Sequence, residues 1–137
     1  MSALVRLAPR SGAVYQQIVE QIKRMVALGA LTPGQQLPTA KELAGQLTVN
    51  LNTVAHAYKE LERDGVVELI AGKGTFVRAA GRGAARKAGA KAIGTSLSAI
   101  VNEARAIDLS AVELRDLFER ALSAGYRSAR QSAAGAR

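Results

Sequence analysis

The sequence predicts a mostly α-helical chain with one small β-hairpin. Three observations predict it. Apolar residues recur at helical spacing in five separate segments, two short β-branched runs flank a single Gly-Lys-Gly turn, and Thr or Ser stands three residues before Glu at two helix starts.

In order along the chain, Val14, Ile18, Ile22, Met25 and Val26 repeat every three to four residues until Gly29 and Pro33-Gly34 interrupt them, which places a first helix over Ala13 to Leu28. Thr39 then precedes KELAGQL with Glu42 three residues on, a capping box that starts a short second helix over Ala40 to Leu47. After the polar break Thr48-Val49-Asn50, the stripe Val54, Ala57, Tyr58 and Leu61 ends at Asp64-Gly65 and defines a third helix over Asn52 to Arg63. The runs VVELIA and TFVR follow, separated by Gly72-Lys73-Gly74, whose glycines supply the positive φ of a tight hairpin. Helix, helix, turn, helix and hairpin in this order make a winged helix-turn-helix over residues 1–78, in which the third helix is the one that enters a DNA major groove.

The next segment, 79–95, has four basic residues (Arg82, Arg86, Lys87 and Lys91), no acidic ones and almost no large apolar side chain. It buries too little to offset its ordering entropy and is expected to be a flexible basic linker. Beyond it Leu97, Ile100, Val101, Ala104 and Ile107 repeat at helical spacing. Ser110 and Glu113 then make a second capping box before Val112, Leu114, Leu117, Phe118, Ala121 and Leu122. Residues 96–125 are therefore expected to form a two-helix hairpin, and 126–137, small and polar, a frayed tail. One stripe per helix over about thirty residues encloses no core alone, so the stripes must be covered by the first domain or by a second chain, and dimerisation through Leu97, Ile100, Val101, Ile107, Val112, Leu114, Leu117 and Phe118 is the economical expectation.

Composition narrows the function. Nineteen Lys and Arg against eleven Asp and Glu leave a formal charge of +8, which favours a polyanionic partner, double-stranded DNA before a membrane. No cysteine and a single histidine remove thiolate metal sites, cysteine nucleophiles and His clusters, and no carboxylate pair or nucleophile with its base is visible. The expectation is a protein that is not an enzyme and needs no metal or cofactor. No apolar stretch of about twenty residues occurs, and Met1 to Gly12 carries Arg6, Pro9 and Arg10 where a secretory signal has an apolar middle, so a soluble cytoplasmic protein is expected.

The stretch LPTAKELAGQLTVNLNTVAHAYKELERDGVVELIAGKGTFV, with VYQQIVEQIKRMVALGALTPGQQLP upstream, resembles the DNA-binding domain of the GntR family of bacterial transcription regulators. Its VNLNTVAHAYKELERDG segment and short two-helix tail are similar to the YtrA subfamily. The resemblance implies a homodimer on a pseudo-palindromic operator, usually a repressor, with the C-terminal part carrying dimerisation and any response to a small-molecule effector. Where family members place an Arg in the second helix, Lys41 stands here; where the recognition helix commonly reads hydroxyl residue, Arg, any residue, Thr, this chain has Asn50, Leu51, Asn52 and Thr53, and Ala55 stands where many members carry a second Arg.

Base reading is therefore expected from Asn50, Asn52, Thr53 and His56. Thr39, Lys41, Lys59, Arg63 and the wing turn Gly72, Lys73, Gly74 are expected to meet the DNA, with Lys41, Arg63 and Lys73 on phosphates. Asn50 or Asn52 as a simple helix cap, His56 as a solvated residue and the wing turn as a plain hairpin are the structural alternatives. A nucleoid-type architectural protein without base readout, and a winged helix that binds protein rather than duplex, accommodate the same charge.

Overall fold

The apolar stripes fold where their spacing places them. In the computed structural model, which describes residues 4–8 and 13–135, the order is α1 (Val14–Ala27), α2 (Ala40–Leu47), α3 (Leu51–Arg63), β1 (Val67–Ile70), β2 (Gly74–Val77), α4 (Gly81–Ala106) and α5 (Ala111–Gly135). The chain divides into two compact units, 1–92 and 93–137.

In the first unit Ile18, Ile22 and Val26 of α1, Leu43 of α2, Val54 and Leu61 of α3, and Val66, Val67 and Val77 of the hairpin form one buried aliphatic core. The cap expected at the α2 start forms, and at the α3 start the capping alternative for Asn50 is the one realised. Thr39 Oγ1 accepts from the Glu42 N–H and donates to the Glu42 carboxylate, while Asn50 Oδ1 accepts from the Asn52 N–H. Left-handed Thr48, φ 55°, ends α2, and the steep turn through Val49 lets α3 start at once. Tyr58 reaches from α3 to donate its hydroxyl to the Pro38 carbonyl at 2.6 Å; burial, and then the Glu42 carboxylate, push this phenol above its ordinary pKa and keep it a donor.

β1 and β2 pair antiparallel, Val67 opposite Val77 and Ile70 opposite Gly74. The outer edge of β2 is not left open. Leu37 N–H donates to Thr75 O, Val77 N–H to Gln35 O and Gly34 N–H to Val77 O, so residues 34–37 zip along it as a third, irregular strand. At the amino end Val5 is fully buried in the core, and two glutamines of α1 hold the segment there: Gln21 exchanges hydrogen bonds with the backbone of Arg6, and Gln17 with that of Ala8. The amides thus do for this segment what a neighbouring strand would do.

The structure differs from the sequence expectation after the hairpin. Residues 79–95 are not a flexible linker: apart from a short turn they belong to α4. Between its glycines the segment is alanine, arginine and lysine apart from Ile93, and these three are strong helix formers that need no large apolar residue to favour a helix. Its first turns also pack. Ala85 is 2% exposed, the Arg82 guanidinium donates to the Ala27 carbonyl at the end of α1, and Gly81 lies so close to Val66 that a Cβ would sit 2.6 Å from the Val66 carbonyl oxygen. The tail differs as well: α5 continues through Gly135 instead of fraying after 125, again on alanine, arginine and glutamine, and the last two positions of the expected tail lie outside the described residues.

The second unit holds the end of α4 and the whole of α5. The Ser110–Glu113 capping box forms reciprocally, with Glu113 N–H donating to Ser110 Oγ and Ser110 N–H to the Glu113 carboxylate. Ala104 is its one buried apolar residue among those described. No helix among the described residues is long and apolar enough to cross a membrane.

Candidate nucleic-acid interface

The buried residues of α3, namely Val54, Ala57, Tyr58 and Leu61, occupy one side of the helix. At about 100° per residue, Asn52, His56, Lys59 and Arg63 then line up along the opposite side, and all four are exposed. This stripe begins with a hydrogen-bonding amide at the helix N-terminus and continues into cationic groups. The N-terminal end adds the partial positive charge of the free backbone N–H groups, with no acidic residue in the first turn to oppose it.

The expected residues divide into those brought to this face and those spent elsewhere. Asn52 presents its amide to solvent and makes no side-chain hydrogen bond among the described residues, whereas the Asn50 oxygen is used as the α3 cap and leaves only its NH2 for another partner. Thr53 is half-buried on the flank of the stripe. Arg63 pairs with the Glu60 carboxylate one turn back, an exposed contact that exchanges readily for a phosphate. Thr39 is occupied by its capping box, and Lys41, in the first turn of α2, is fully on the surface. Leu51, where family members commonly have Arg, is half exposed at the start of α3 and brings no charge.

On one flank of the stripe stands the wing. Gly72 and Gly74 have φ of 77° and 127°, and the Lys73 N–H closes the turn on the Ile70 carbonyl. That leaves the Lys73 ammonium exposed at the tip. Gln36 braces this tip by donating from Nε2 to the Lys73 carbonyl; the φ of Gly74 selects glycine, and a Cβ there would displace the Gln36 amide that it meets at 2.7 Å. Between wing and α3 runs an apolar groove lined by Ala40, Ala55, Tyr58, Lys59, Leu69 and Thr75. The Glu62 carboxylate accepts from the Leu69 N–H across it and fixes the hairpin to α3.

On the other flank stands α1. The His56 ring lies 4.3 Å from the ring of Tyr15, centroid to centroid, with the planes tilted by 59°. Neither Tyr15 nor Gln36 was legible as a site residue, because each acts through a neighbour about forty residues away and sits inside a pattern that reads as ordinary helix or loop.

In the second unit the residues expected to dimerise stay uncovered. Leu97 is 41% exposed, Ile100 47%, Val101 44%, Leu117 50% and Phe118 46%, and Leu114 is half-buried. Ile107 falls in the turn after α4, and Val112, roughly 160° around α5 from Leu114, stands apart from the stripe that Leu114, Leu117, Phe118 and Leu122 form.

Residues 14–77 match the family model for bacterial regulatory proteins, gntR family. The chain is 43% identical over 75 residues to the HTH-type transcriptional repressor YtrA of Bacillus subtilis, a match that covers 54% of this chain and 58% of that protein. The chain thus spans little more than half the length of that relative. Among solved structures it is similar to a transcriptional regulator from Oenococcus oeni, with 32% identity and a TM-score of 0.68 over 85% of this chain and 97% of the other. It is also similar to YtrA from Sulfolobus acidocaldarius, a GntR-family transcription factor, with 34% identity and a TM-score of 0.51 over 56% of this chain and 81% of that one.

Proposed function

The chain belongs to the GntR family of bacterial regulatory proteins, and on that premise we propose that it is a sequence-specific DNA-binding transcription regulator: a homodimeric repressor that reads a pseudo-palindromic operator in the bacterial cytoplasm. The observation that carries this reading is the outer stripe of α3, where Asn52, His56, Lys59 and Arg63 share one exposed face beside the wing lysine Lys73. An α-helix with this face fits a major groove, and a glycine-flanked lysine at the wing tip reaches the adjoining backbone or minor groove.

In this account Lys41, Lys59, Arg63 and Lys73 position the domain on phosphates, and Asn52, with Thr53, His56 and the free NH2 of Asn50, discriminates bases. Asn pairs bidentately with adenine and Thr meets a thymine methyl, so half-sites rich in A·T are expected where α3 enters. Dimerisation supplies the second half-site. The exposed apolar residues of α4 and α5 cover their counterparts in a second copy, which sets two α3 helices about one helical turn of DNA apart, ~34–36 Å. Repression then follows from occupancy of a promoter and requires no chemistry.

The test separates reading from positioning. Asn52→Ala is expected to weaken binding to the selected operator by about 1–3 kcal/mol and to leave random duplex almost unchanged. Lys73→Ala is expected to weaken both about equally and to lower the slope of log affinity against log salt by about one unit. Both are read by fluorescence anisotropy over a salt series. Equal losses on operator and random DNA for Asn52→Ala would remove base readout from α3, and an unchanged salt slope would remove Lys73 from the phosphates.

A further inference from the structure

We propose that Tyr15 of α1 is a positioning residue for His56 of α3, holding the imidazole at the edge of the reading stripe so that a ring nitrogen meets the DNA. The inference rests on the reading of α3 as the DNA-contacting helix.

An exposed imidazole on a helix is free to rotate about both side-chain torsions, and immobilising such a side chain on binding costs a factor of about two to ten in affinity. Tyr15 removes much of that freedom beforehand. Its ring, half-buried against the core, stands 4.3 Å from the imidazole, and the 59° tilt sets the edge of one ring towards the face of the other. His56 is exposed despite this contact, so its polar edge stays available to a phosphate or base. Gln16 Nε2 makes a long, exposed contact of 3.4 Å to the Tyr15 hydroxyl. Tyr58, by comparison, is buried and spends its hydroxyl on Pro38; Tyr15 is the aromatic residue that borders the outer stripe of α3. The stripe is thereby framed on both sides, by Tyr15 acting on His56 and by Gln36 acting on the wing.

The experiment is a double-mutant cycle in the full-length chain, using the duplex that the wild-type protein selects from random sequence. Tyr15→Leu fills the space without a ring and is expected to weaken binding about fivefold when His56 is present and less than twofold in the His56→Ala background. Tyr15→Phe, which keeps the ring, is expected to stay within twofold of wild type. His56 is the single histidine of the chain, so its ring protons give one resolvable NMR pair; loss of the Tyr15 ring current is expected to shift them without any DNA. If Tyr15→Leu melts below the assay temperature, Tyr15→Met replaces it.

An equal loss with and without His56 would make Tyr15 a packing residue and overturn the proposal. So would unchanged histidine resonances, or no loss in either background from a wild-type protein that binds tightly. A wild-type protein that selects no duplex would instead defeat the DNA-binding reading, and this inference with it.

Discussion

Phe118→Asp is expected to convert a dimer into a monomer and to cut operator affinity by at least ~100-fold while leaving the fold of the chain unchanged. Phe118 is 46% exposed within its own chain and lies beside Leu117 and Leu122 on α5, so the substitution removes no intramolecular core contact of comparable size. In the proposed dimer the same position is covered, and a carboxylate placed in such an apolar interface would be desolvated without a partner. The loss in DNA affinity follows from geometry rather than from any contact to DNA. Two linked winged domains bind two half-sites with an effective-concentration gain of ~10²–10⁴, and a monomer forfeits all of it. Sedimentation velocity, circular dichroism and operator titration on one preparation check the three parts. A Phe118→Asp protein that still sediments as a dimer and binds with wild-type affinity would move the interface away from α5.

Leu61→Ala is expected to destabilise the winged domain by about 3 kcal/mol, whereas Leu51→Ala, ten residues earlier on the same helix, costs less than about 0.5 kcal/mol. Leu61 is fully buried among the aliphatic side chains of α1, α2 and the hairpin, and truncating such a leucine loses transfer free energy and leaves a cavity. Leu51 is 49% exposed at the first position of α3 and leaves no void behind. For a domain of this size the first change lowers Tm by roughly 12–24 °C and the second by only a few degrees. Thermal and urea melts followed at 222 nm measure both; comparable losses would show that α3 is not seated by its Val54, Ala57, Tyr58, Leu61 face.

The pair also shows what the sequence made legible. The side of α3 that is buried, and hence the side that is free, is a matter of 3.6-residue periodicity, and the Thr39–Glu42 and Ser110–Glu113 boxes fix helix starts by purely local hydrogen bonds. The Gly72-Lys73-Gly74 turn is equally local. What was not legible depends on distant partners. The Tyr15–His56 ring contact and the Gln36 brace join segments far apart in the chain, and Gln17 and Gln21 look like solvated polar residues until the 4–8 segment is laid along α1. The expectation of a flexible segment over 79–95 failed for a different reason. Lack of large apolar side chains rules out an independent core, but not a helix of alanine, arginine and lysine whose first turns are anchored through Gly81, Arg82 and Ala85. Within α4 and α5 the apolar stripes were legible as stripes, and among the described residues they stay largely exposed.

Sequence-specific binding to DNA is tested by competition. The purified protein selects fragments from its own genome at two salt concentrations, and the enriched duplex is then competed against random DNA. The account predicts one palindromic site recovered at both salts and preferred by at least ~10³-fold. Recovery of bulk DNA without preference, lost at the higher salt, would contradict it and leave only electrostatic coating by a basic chain.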